Sequence, residues 1–283
     1  MLIKPAPINV TWMITDRCNY NCQFCFRFLG RPELNYHNAV NIIDKLSKSG
    51  VRKISWAGGE PLLWPRMLDL IEYTHSLGIT TMLITNGSLL NSKILKRLVK
   101  SLDWLNFPLD GPDDATNAQM TRNKGHYQRI ITLLESLSAS PISLKINTVA
   151  TSVNIAQIPQ MVQLINKYSV HRWKIFQFYP IRGTSCNNAS KFIISTQQFQ
   201  KLQEQIISQK VDSRCMLVFE SNRDMDNSYF SLAPDGSVYV SSNGHDKIIG
   251  NLTKDSVENI WKSDMINKMK YWLRASWFLN NSK

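Results

Sequence analysis

The sequence predicts an α/β fold, and three observations support that prediction. Apolar runs rich in β-branched and aromatic residues alternate six times with helical stretches, and such strand-then-helix repeats favour a parallel sheet with right-handed crossovers. Glycine, asparagine and aspartate follow the predicted strands, at the end where α/β barrels bind ligands. The last third of the chain breaks the alternation. The predicted class is therefore a partial (β/α)6 TIM-like barrel over residues 1–190, with a C-terminal extension over residues 191–283 packed on it.

The individual elements follow from apolar periodicity and from helix and turn signals. Strands are predicted over Ile8–Ile14, Arg52–Ala57, Thr80–Ile84, Asp103–Leu109, Ile142–Val149 and His171–Phe178. Helices are predicted over Asn35–Ser49, Pro65–Leu77, Ser92–Leu102, His126–Ser138, Ile155–Tyr168, Thr196–Gln209 and Ser256–Lys270. The Pro-Asp-Gly turn signal at 234–236 predicts a hairpin in the extension.

The composition is that of a large, positively charged globular chain. It has 283 residues, of which 43% are hydrophobic, and a formal net charge of +12. Positive charge attracts anionic ligands, but the lysines and arginines are dispersed, which disfavours a stable nucleic-acid partner. The five cysteines are an odd number, and no signal peptide is recognisable, which favours a reducing compartment. Since no long apolar run is present either, we expect a cytoplasmic enzyme without a membrane partner.

Three closely spaced cysteines follow the first predicted strand. Cys18, Cys22 and Cys25 stand at the spacing C-x3-C-x2-C. Thiolates are soft ligands that suit zinc and iron–sulfur clusters. Three thiolates leave one iron of a [4Fe–4S] cluster open for a non-protein ligand. One alternative is three unrelated core cysteines. The other is a zinc loop completed by a His or Cys from elsewhere in the chain, and His37 is the only candidate close to the loop in the sequence.

These cysteines and the Gly-Gly-Glu-Pro stretch at 58–61 together resemble the radical S-adenosylmethionine (SAM) superfamily. The blocks CNYNCQFCF, AGGEP, ITNGSL, LKINTV, HRWKIFQF, KFIIS and FESNRDMDNSYF further resemble viperin and its prokaryotic relatives, which are radical SAM nucleotide dehydratases. The resemblance runs from about Val10 to Tyr229. It implies a [4Fe–4S] cluster and S-adenosyl-L-methionine as cofactors.

The resemblance also implies a reaction on a ribonucleoside triphosphate, which is CTP, UTP or GTP in that family. A 5′-deoxyadenosyl radical removes the C4′ hydrogen of the ribose, and the 3′-hydroxyl leaves as water. The product is a 3′-deoxy-3′,4′-didehydro nucleotide, which terminates viral transcripts and so serves antiviral defence. A monomer that receives electrons from a flavodoxin or ferredoxin is expected, with the C-terminal extension closing the substrate site.

Roles for individual residues follow from the same resemblance. Cys18, Cys22 and Cys25 are the predicted cluster ligands, and Tyr229 is predicted to lie near the sugar, where a phenol can donate a proton to the departing hydroxyl. The predicted SAM-binding residues are Gly58, Gly59, Glu60, Asn86, Ser88, Arg122 and Asn147. The predicted triphosphate-binding residues are Lys53, Lys145, Arg172 and Lys174. Two places depart from the family pattern, because Ala57 and the pair Pro108-Leu109 stand where more polar residues are usual.

The pattern around the cations gives separate support for an anionic ligand. Lys145 interrupts an apolar run, and Arg172 and Lys174 alternate around Trp173, so both lie on one face of a strand. A buried, unpaired cation is costly, which favours an anionic ligand as its partner. The alternatives are that these side chains reach solvent or pair with Asp and Glu.

Two other functions stay open at this stage. A radical SAM peptide-modifying or maturase enzyme would need further cysteines for a second cluster. Cys186 and Cys215 are too few for that, and Ser241 and Ser242 stand where a ligand would be expected. A zinc-stabilised basic nucleic-acid-binding protein would need a fourth zinc ligand, and it leaves the Gly-Gly-Glu-Pro stretch unexplained.

Overall fold

The structure is a computed structural model that describes residues 6–281, with side chains described as far as residue 275. The first five residues, which belong to the N-terminal stretch in which no signal peptide is recognisable, lie outside the described residues. The strands are β1 (Asn9–Thr15), β2 (Lys53–Gly58), β3 (Thr80–Ile84), β4 (Trp104–Pro108), β5 (Ser143–Ala150), β6 (Arg172–Gln177), β7 (Met216–Glu220), β8 (Ser231–Leu232), β9 (Ser237–Ser242) and β10 (His245–Asn251). The helices are α1 (Tyr36–Lys48), α2 (Met67–Ser76), α3 (Ser92–Leu98), α4 (Asp114–Gln119), α5 (His126–Ser136), α6 (Met161–Lys167), α7 (Thr184–Asn187), α8 (Ala189–Phe192), α9 (Thr196–Ile207), α10 (Asn222–Met225), α11 (Val257–Trp261) and α12 (Lys268–Asn281).

These elements form two compact units. The first unit contains the described residues up to Cys18, then Arg27–Leu83, and the chain from Asp224 onward. The second unit contains Asn19–Phe26 and Ile84–Arg223. The domain boundary expected at residue 190 stays a prediction.

The first unit is built on a mixed sheet with the strand order β10–β9–β8–β1–β2–β3. β1, β2, β3 and β8 run parallel, whereas β9 and β10 continue the sheet in antiparallel fashion. The indole rings of Trp12 in β1 and Trp56 in β2 are fully buried and stack with centroids 5.3 Å apart. The predicted hairpin is confirmed, because β8 and β9 pair across the Pro-Asp-Gly turn.

The second unit is built on four parallel strands in the order β4–β5–β6–β7. One face is apolar and is covered by helices: Trp173 in β6 donates to Thr148 Oγ1 in β5, which lies against Met161 of α6. Phe219 in β7 contacts Phe199 of α9 on the same side. Since side chains alternate along a strand, the residues between these point to the opposite face. That opposite face carries Lys145, Asn147, Arg172 and Lys174.

The strands predicted for the barrel are confirmed, whereas the elements predicted for the C-terminal extension are confirmed only in part. Each of the six predicted strands overlaps an observed strand, whereas β7 and β10 were not predicted. The single helix predicted over Ser256–Lys270 is wrong. The chain forms α11 and α12 instead, because Ser263 ends the first helix in a turn, where its hydroxyl accepts from the backbone of Met265. Of the helices in residues 6–281, none is both long and apolar enough to cross a membrane.

Candidate active site

The three clustered cysteines fit a metal cluster by their donor chemistry. None of them forms a disulfide bond. The guanidinium of Arg122 donates to the Cys22 sulfur at 3.5 Å. Over residues 6–281, no three Cys, His, Asp or Glu side chains are close enough together to hold a metal ion.

Residues Asn19–Phe26 of the second unit carry Cys22 and Cys25 and are called the cysteine loop below. Helix α7 forms hydrogen bonds with this loop. The hydroxyl of Thr184 lies within hydrogen-bond distance of the carbonyls of Cys22 (3.0 Å) and Cys25 (3.1 Å). The backbone N–H of Ser185 also donates to the carbonyl of Cys25. This contact was not predicted, because Thr184 belongs to no recognisable motif and lies 159 residues from Cys25 in the sequence.

Asn86 and Ser88 contact the same loop from the segment after β3. The Asn19 amide donates to Ser88 Oγ (2.7 Å) and accepts from Asn86 Nδ2 (2.9 Å). The backbone N–H of Ser88 donates to Asn86 Oδ1. Two predicted SAM-binding residues therefore lie directly beside the cysteine loop, and their binding role stays a prediction.

Arg122 joins the cysteine loop to the end of β4. Its guanidinium forms a largely buried ion pair with Asp110 at 2.8 Å and lies over the ring of Phe24 at 4.8 Å. Burial by itself lowers the pKa of Arg122, but the Asp110 carboxylate and the Cys22 thiol outweigh burial, and the pKa is raised. The side chain therefore stays a cation beside the predicted cluster ligands.

A closed hydrogen-bond network surrounds Asp110, which is fully buried. Besides the ion pair, its carboxylate accepts from the backbone of Val149 (2.9 Å). Its own N–H donates to Asn117 Oδ1 (3.0 Å), and its carbonyl accepts from Asn154 Nδ2 (2.7 Å). These residues are called the Asp110 network below. The sequence showed Asp110 only as a turn after a strand, so its link to Arg122 was not foreseen.

The Gly-Gly-Glu-Pro stretch lies in the first unit, against the chain that leaves β1. A Cβ on Gly58 would come within 2.3 Å of the carbonyl of Thr15, and one on Gly59 within 2.1 Å of the carbonyl of Arg17. Close backbone packing therefore requires both glycines whatever they bind. Glu60 is fully buried and accepts from the backbone of Leu62.

The predicted phosphate-binding cations of the second unit lie on one face of its sheet. Lys145 in β5 is the register partner of Arg172 in β6, and Asn147 is that of Lys174. Lys145 and Lys174 are only 6% and 5% exposed. The structure thus brings together Lys145, Asn147, Arg172 and Lys174.

Lys174 pairs within the chain, which is one of the alternatives that the sequence left open. Its ammonium lies 2.5 Å from the Glu220 carboxylate in β7 and 4.6 Å from the centre of the Phe176 ring. Glu220 is 4% exposed. Glu220 was not predicted as a partner, because the strand that carries it was not predicted.

Lys53 and Tyr229 both lie in the first unit, near the start of β1. Lys53 is the register partner of Asn9 and is 2% exposed. Asn9 and Tyr229 line the same small pocket, where the Tyr229 ring stacks on the Arg274 guanidinium at 3.1 Å. These contacts do not test triphosphate binding by Lys53 or proton donation by Tyr229, so both roles stay predictions.

Comparison with known proteins decides the family. A family model described as the radical SAM superfamily matches residues 12–165. An S-adenosylmethionine-dependent nucleotide dehydratase from Flammeovirga pacifica is 31% identical over 249 residues, which span 84% of this chain and 83% of that protein. The S-adenosylmethionine-dependent nucleotide dehydratase RSAD2 from Oncorhynchus mykiss is 31% identical over 241 residues, which span 80% of this chain and 67% of the relative.

The chain belongs to the S-adenosylmethionine-dependent nucleotide dehydratases of the radical SAM superfamily. As a radical SAM enzyme it uses SAM and a [4Fe–4S] cluster, so both cofactor predictions are confirmed. The zinc-stabilised binding module is therefore wrong, and the family relatives favour the dehydratase over a peptide-modifying enzyme.

Solved radical SAM structures confirm the predicted fold class. Streptococcus suis SuiB bound to precursor peptide SuiA superposes with a TM-score of 0.75 at 18% identity, over 92% of this chain and 65% of that one. Native anSMEcpe with bound AdoMet and Cp18Cys peptide gives 0.72 at 13% identity, over 95% and 86%. At these identities the likeness concerns the fold alone, which is an α/β partial barrel.

Proposed function

We propose that this radical SAM dehydratase acts on a ribonucleoside triphosphate and converts it to the 3′-deoxy-3′,4′-didehydro analogue. The observation that carries the proposal is that Lys145, Arg172 and Lys174 share one face of the sheet, where Lys145 and Lys174 are buried. Glu220 pairs with Lys174, and several cations that share one face suit a polyphosphate ligand. CTP, UTP and GTP are all candidate substrates, and the product would terminate chains in antiviral defence.

When bound, the reduced cluster and SAM supply a hydrogen-abstracting 5′-deoxyadenosyl radical. In the proposal Cys18, Cys22 and Cys25 hold the cluster. The residues proposed to hold SAM are Gly58, Gly59, Glu60, Asn86, Ser88, Arg122 and Asn147. A permanent cation at Arg122 suits a carboxylate such as that of the methionine moiety.

The remaining residues of the proposal position the nucleotide. Lys53, Lys145, Arg172 and Lys174 bind the triphosphate, so that the ribose is presented to the radical in a fixed orientation. The ribose loses its C4′ hydrogen and its 3′-hydroxyl, and one electron and one proton complete the loss of water. Tyr229 donates that proton to the departing 3′-oxygen, and a ferredoxin or flavodoxin supplies the electron.

The test incubates reconstituted, reduced protein with SAM and each of the four ribonucleoside triphosphates in turn. Mass spectrometry should detect 5′-deoxyadenosine and, with at least one nucleotide, a product lighter by one water. Cys22→Ala should lose the cluster iron and both products, whereas Cys215→Ala should keep them, because Cys215 is a buried thiol outside the loop. Tyr229→Phe should still cleave SAM but release less dehydrated nucleotide. SAM cleavage without any dehydrated product from all four nucleotides would refute the proposal.

A further inference from the structure

Asn106 is a fully buried polar side chain for which the described residues provide no partner. It lies in the middle of β4 and is 0% exposed. Neither its Oδ1 nor its Nδ2 has a hydrogen-bond partner within residues 6–281. Native chains leave few buried amides unsatisfied, because the lost hydrogen bonds are destabilising. A buried amide with both atoms unmet therefore points to a group that the chain itself does not supply.

The strand register places Asn106 in one row with two predicted phosphate-binding cations. Asn106 is the register partner of Lys145 in β5, and Lys145 is that of Arg172 in β6. Register partners on parallel strands point to the same face, about 4.8 Å from strand to strand. These three residues are called the Asn106 row below.

The Asn106 row lies on the face opposite the helices. Phe107, the next residue of β4, borders Gly87 together with Leu133 of α5. Asn106 therefore points away from α5, because successive side chains of a strand alternate. The row is thus part of the same polar face as Lys174 and Asn147.

The position of the row along the strands indicates which part of a nucleotide reaches it. Asp110, Arg122 and Cys22 lie at the carboxyl end of β4, which is where the cluster would lie if Cys22 is one of its ligands. Asn106 lies four residues earlier, which is about 13 Å along an extended strand. The reacting ribose must stay near the carboxyl end, so the part of the nucleotide at the row is remote from C4′. Because Lys145 and Arg172 are cations, that part is the terminal phosphate rather than the base.

We propose that Asn106 binds the terminal phosphate of the substrate, as the uncharged member of a row with Lys145 and Arg172. Its Nδ2 donates to a phosphate oxygen, and its Oδ1 accepts from the ammonium or guanidinium drawn to the same phosphate. The inference rests on the proposed function in taking the substrate to be a nucleoside triphosphate. It adds a residue that favours the triphosphate over the diphosphate.

The test uses Asn106→Leu, which keeps the approximate side-chain volume and removes both polar atoms. Calorimetry on the cluster-loaded protein with SAM measures the Kd of inorganic tripolyphosphate, which needs no turnover. A lost hydrogen bond to a charged group should weaken this Kd by about 10-fold or more. With the nucleotide that the protein dehydrates, KM should rise by a similar factor while kcat is retained, and the KM of the matching diphosphate should change little.

Thermal unfolding separates a binding role from a structural one. Asn106→Leu should leave Tm unchanged or raise it, since it removes an unsatisfied buried amide. The matched control is Asn154→Leu, because Asn154 is equally buried but fully hydrogen-bonded, and it should lower Tm. Asn106→Asp provides a second variant, in which Lys145 and Arg172 can stabilise the new carboxylate. It should abolish tripolyphosphate binding by charge repulsion.

The possible results of these binding and unfolding experiments distinguish the role of Asn106 from the proposed function. An unchanged tripolyphosphate Kd in Asn106→Leu or in Asn106→Asp would overturn the inference, as would wild-type protein that does not bind tripolyphosphate. A loss of Tm in Asn106→Leu equal to that in Asn154→Leu would show a structural role and overturn it as well. If wild-type protein dehydrates no nucleotide but Asn106→Leu still weakens tripolyphosphate binding, the proposed function fails and the phosphate-binding role of Asn106 stands.

Discussion

The Asp110 network and the Asn106 row lie on or beside the same strand of the second unit, and they treat buried polar groups in opposite ways. In the Asp110 network the carboxylate, the Arg122 guanidinium and the Asn154 amide all find partners within the chain. In the Asn106 row the Asn106 amide finds none in the described residues. The Asp110 network is satisfied by the chain itself before any ligand binds, and in the proposal Arg122 adds a ligand contact to these bonds. The Asn106 amide has no partner in the described residues, and in the proposal only the ligand supplies one.

Removing the charge of Asp110 should have the largest effect on stability. Asp110→Asn leaves the buried Arg122 cation without its counter-charge, and breaking a buried pair in this way costs about 3–5 kcal/mol. The loss is measured as the change in free energy of unfolding of cluster-free protein in urea. As a control, Asp212→Asn breaks the exposed Arg214–Asp212 pair and should change little. Equal effects of the two substitutions would remove the distinction between the network and an ordinary surface pair.

The Lys174–Glu220 pair lies between the two cases, because its cation is both satisfied within the chain and proposed to bind phosphate. Glu220→Gln should destabilise the protein by about 3 kcal/mol, since it strands the Lys174 ammonium. The double variant Lys174→Met with Glu220→Gln should lose less than Glu220→Gln alone, which urea unfolding of both can measure. Saturating tripolyphosphate should stabilise Glu220→Gln more than it stabilises the double variant, which lacks the Lys174 cation. Additive losses in the double variant would contradict the coupling.

Asn154 and Asn106 are both buried, and their substitution should affect stability differently. Asn154→Leu orphans the carbonyls of Asp110 and Val149 and the backbone N–H of Thr151, and each orphaned buried group costs about 1–3 kcal/mol. Since such losses are rarely fully additive, we expect a total of about 2 kcal/mol in urea unfolding. Asn106→Leu orphans nothing and should lose no stability. The reverse order would mean that the unmet atoms of Asn106 are not a site for a ligand.

The smallest expected effect is the dependence of stability on pH through His126. Burial, and next the charge of Arg122, lower its pKa from 6.5 to about 3, while its ring lies 2.8 Å from the carbonyl of Pro108. The unfolded chain therefore binds a proton between pH 6.5 and 3 that the folded chain does not. The contribution of His126 is fully present above pH 6.5 and is lost as the pH falls, by about 1.4 kcal/mol for each pH unit below 6.5.

The measurement compares wild-type protein with His126→Gln in urea between pH 7 and 5.5. Other groups titrate in both proteins, so only the difference between the two curves reports on His126. That difference should narrow by about 1.4 kcal/mol over this range. Parallel curves would show that His126 is not held neutral by the fold.

Much of the fold and of the chemistry could be predicted before any coordinates were considered. The strand-then-helix alternation predicted the partial barrel, and the resemblance carried by the three cysteines and the Gly-Gly-Glu-Pro stretch implied the cluster and SAM, which the family comparisons confirm. The alternation around Trp173 also predicted that Arg172 and Lys174 share a face, as their register with β5 requires. Patterns of this kind depend on residues a few positions apart, so they can be read directly from the chain.

Which buried polar groups are satisfied depended on contacts between residues distant in the chain. The partner of Lys174 could not be named, because Glu220 lies 46 residues later on β7, a strand that was not predicted. Asp110 looked like a turn residue until α4 and the loop after it brought Arg122 beside it. Asn106 looked like any polar residue in a strand, and only packing shows that nothing in the described chain meets its amide. The sequence thus identified the cofactors and the strands, whereas tertiary packing determined the partners, because a hydrogen bond or ion pair is decided by distance in space.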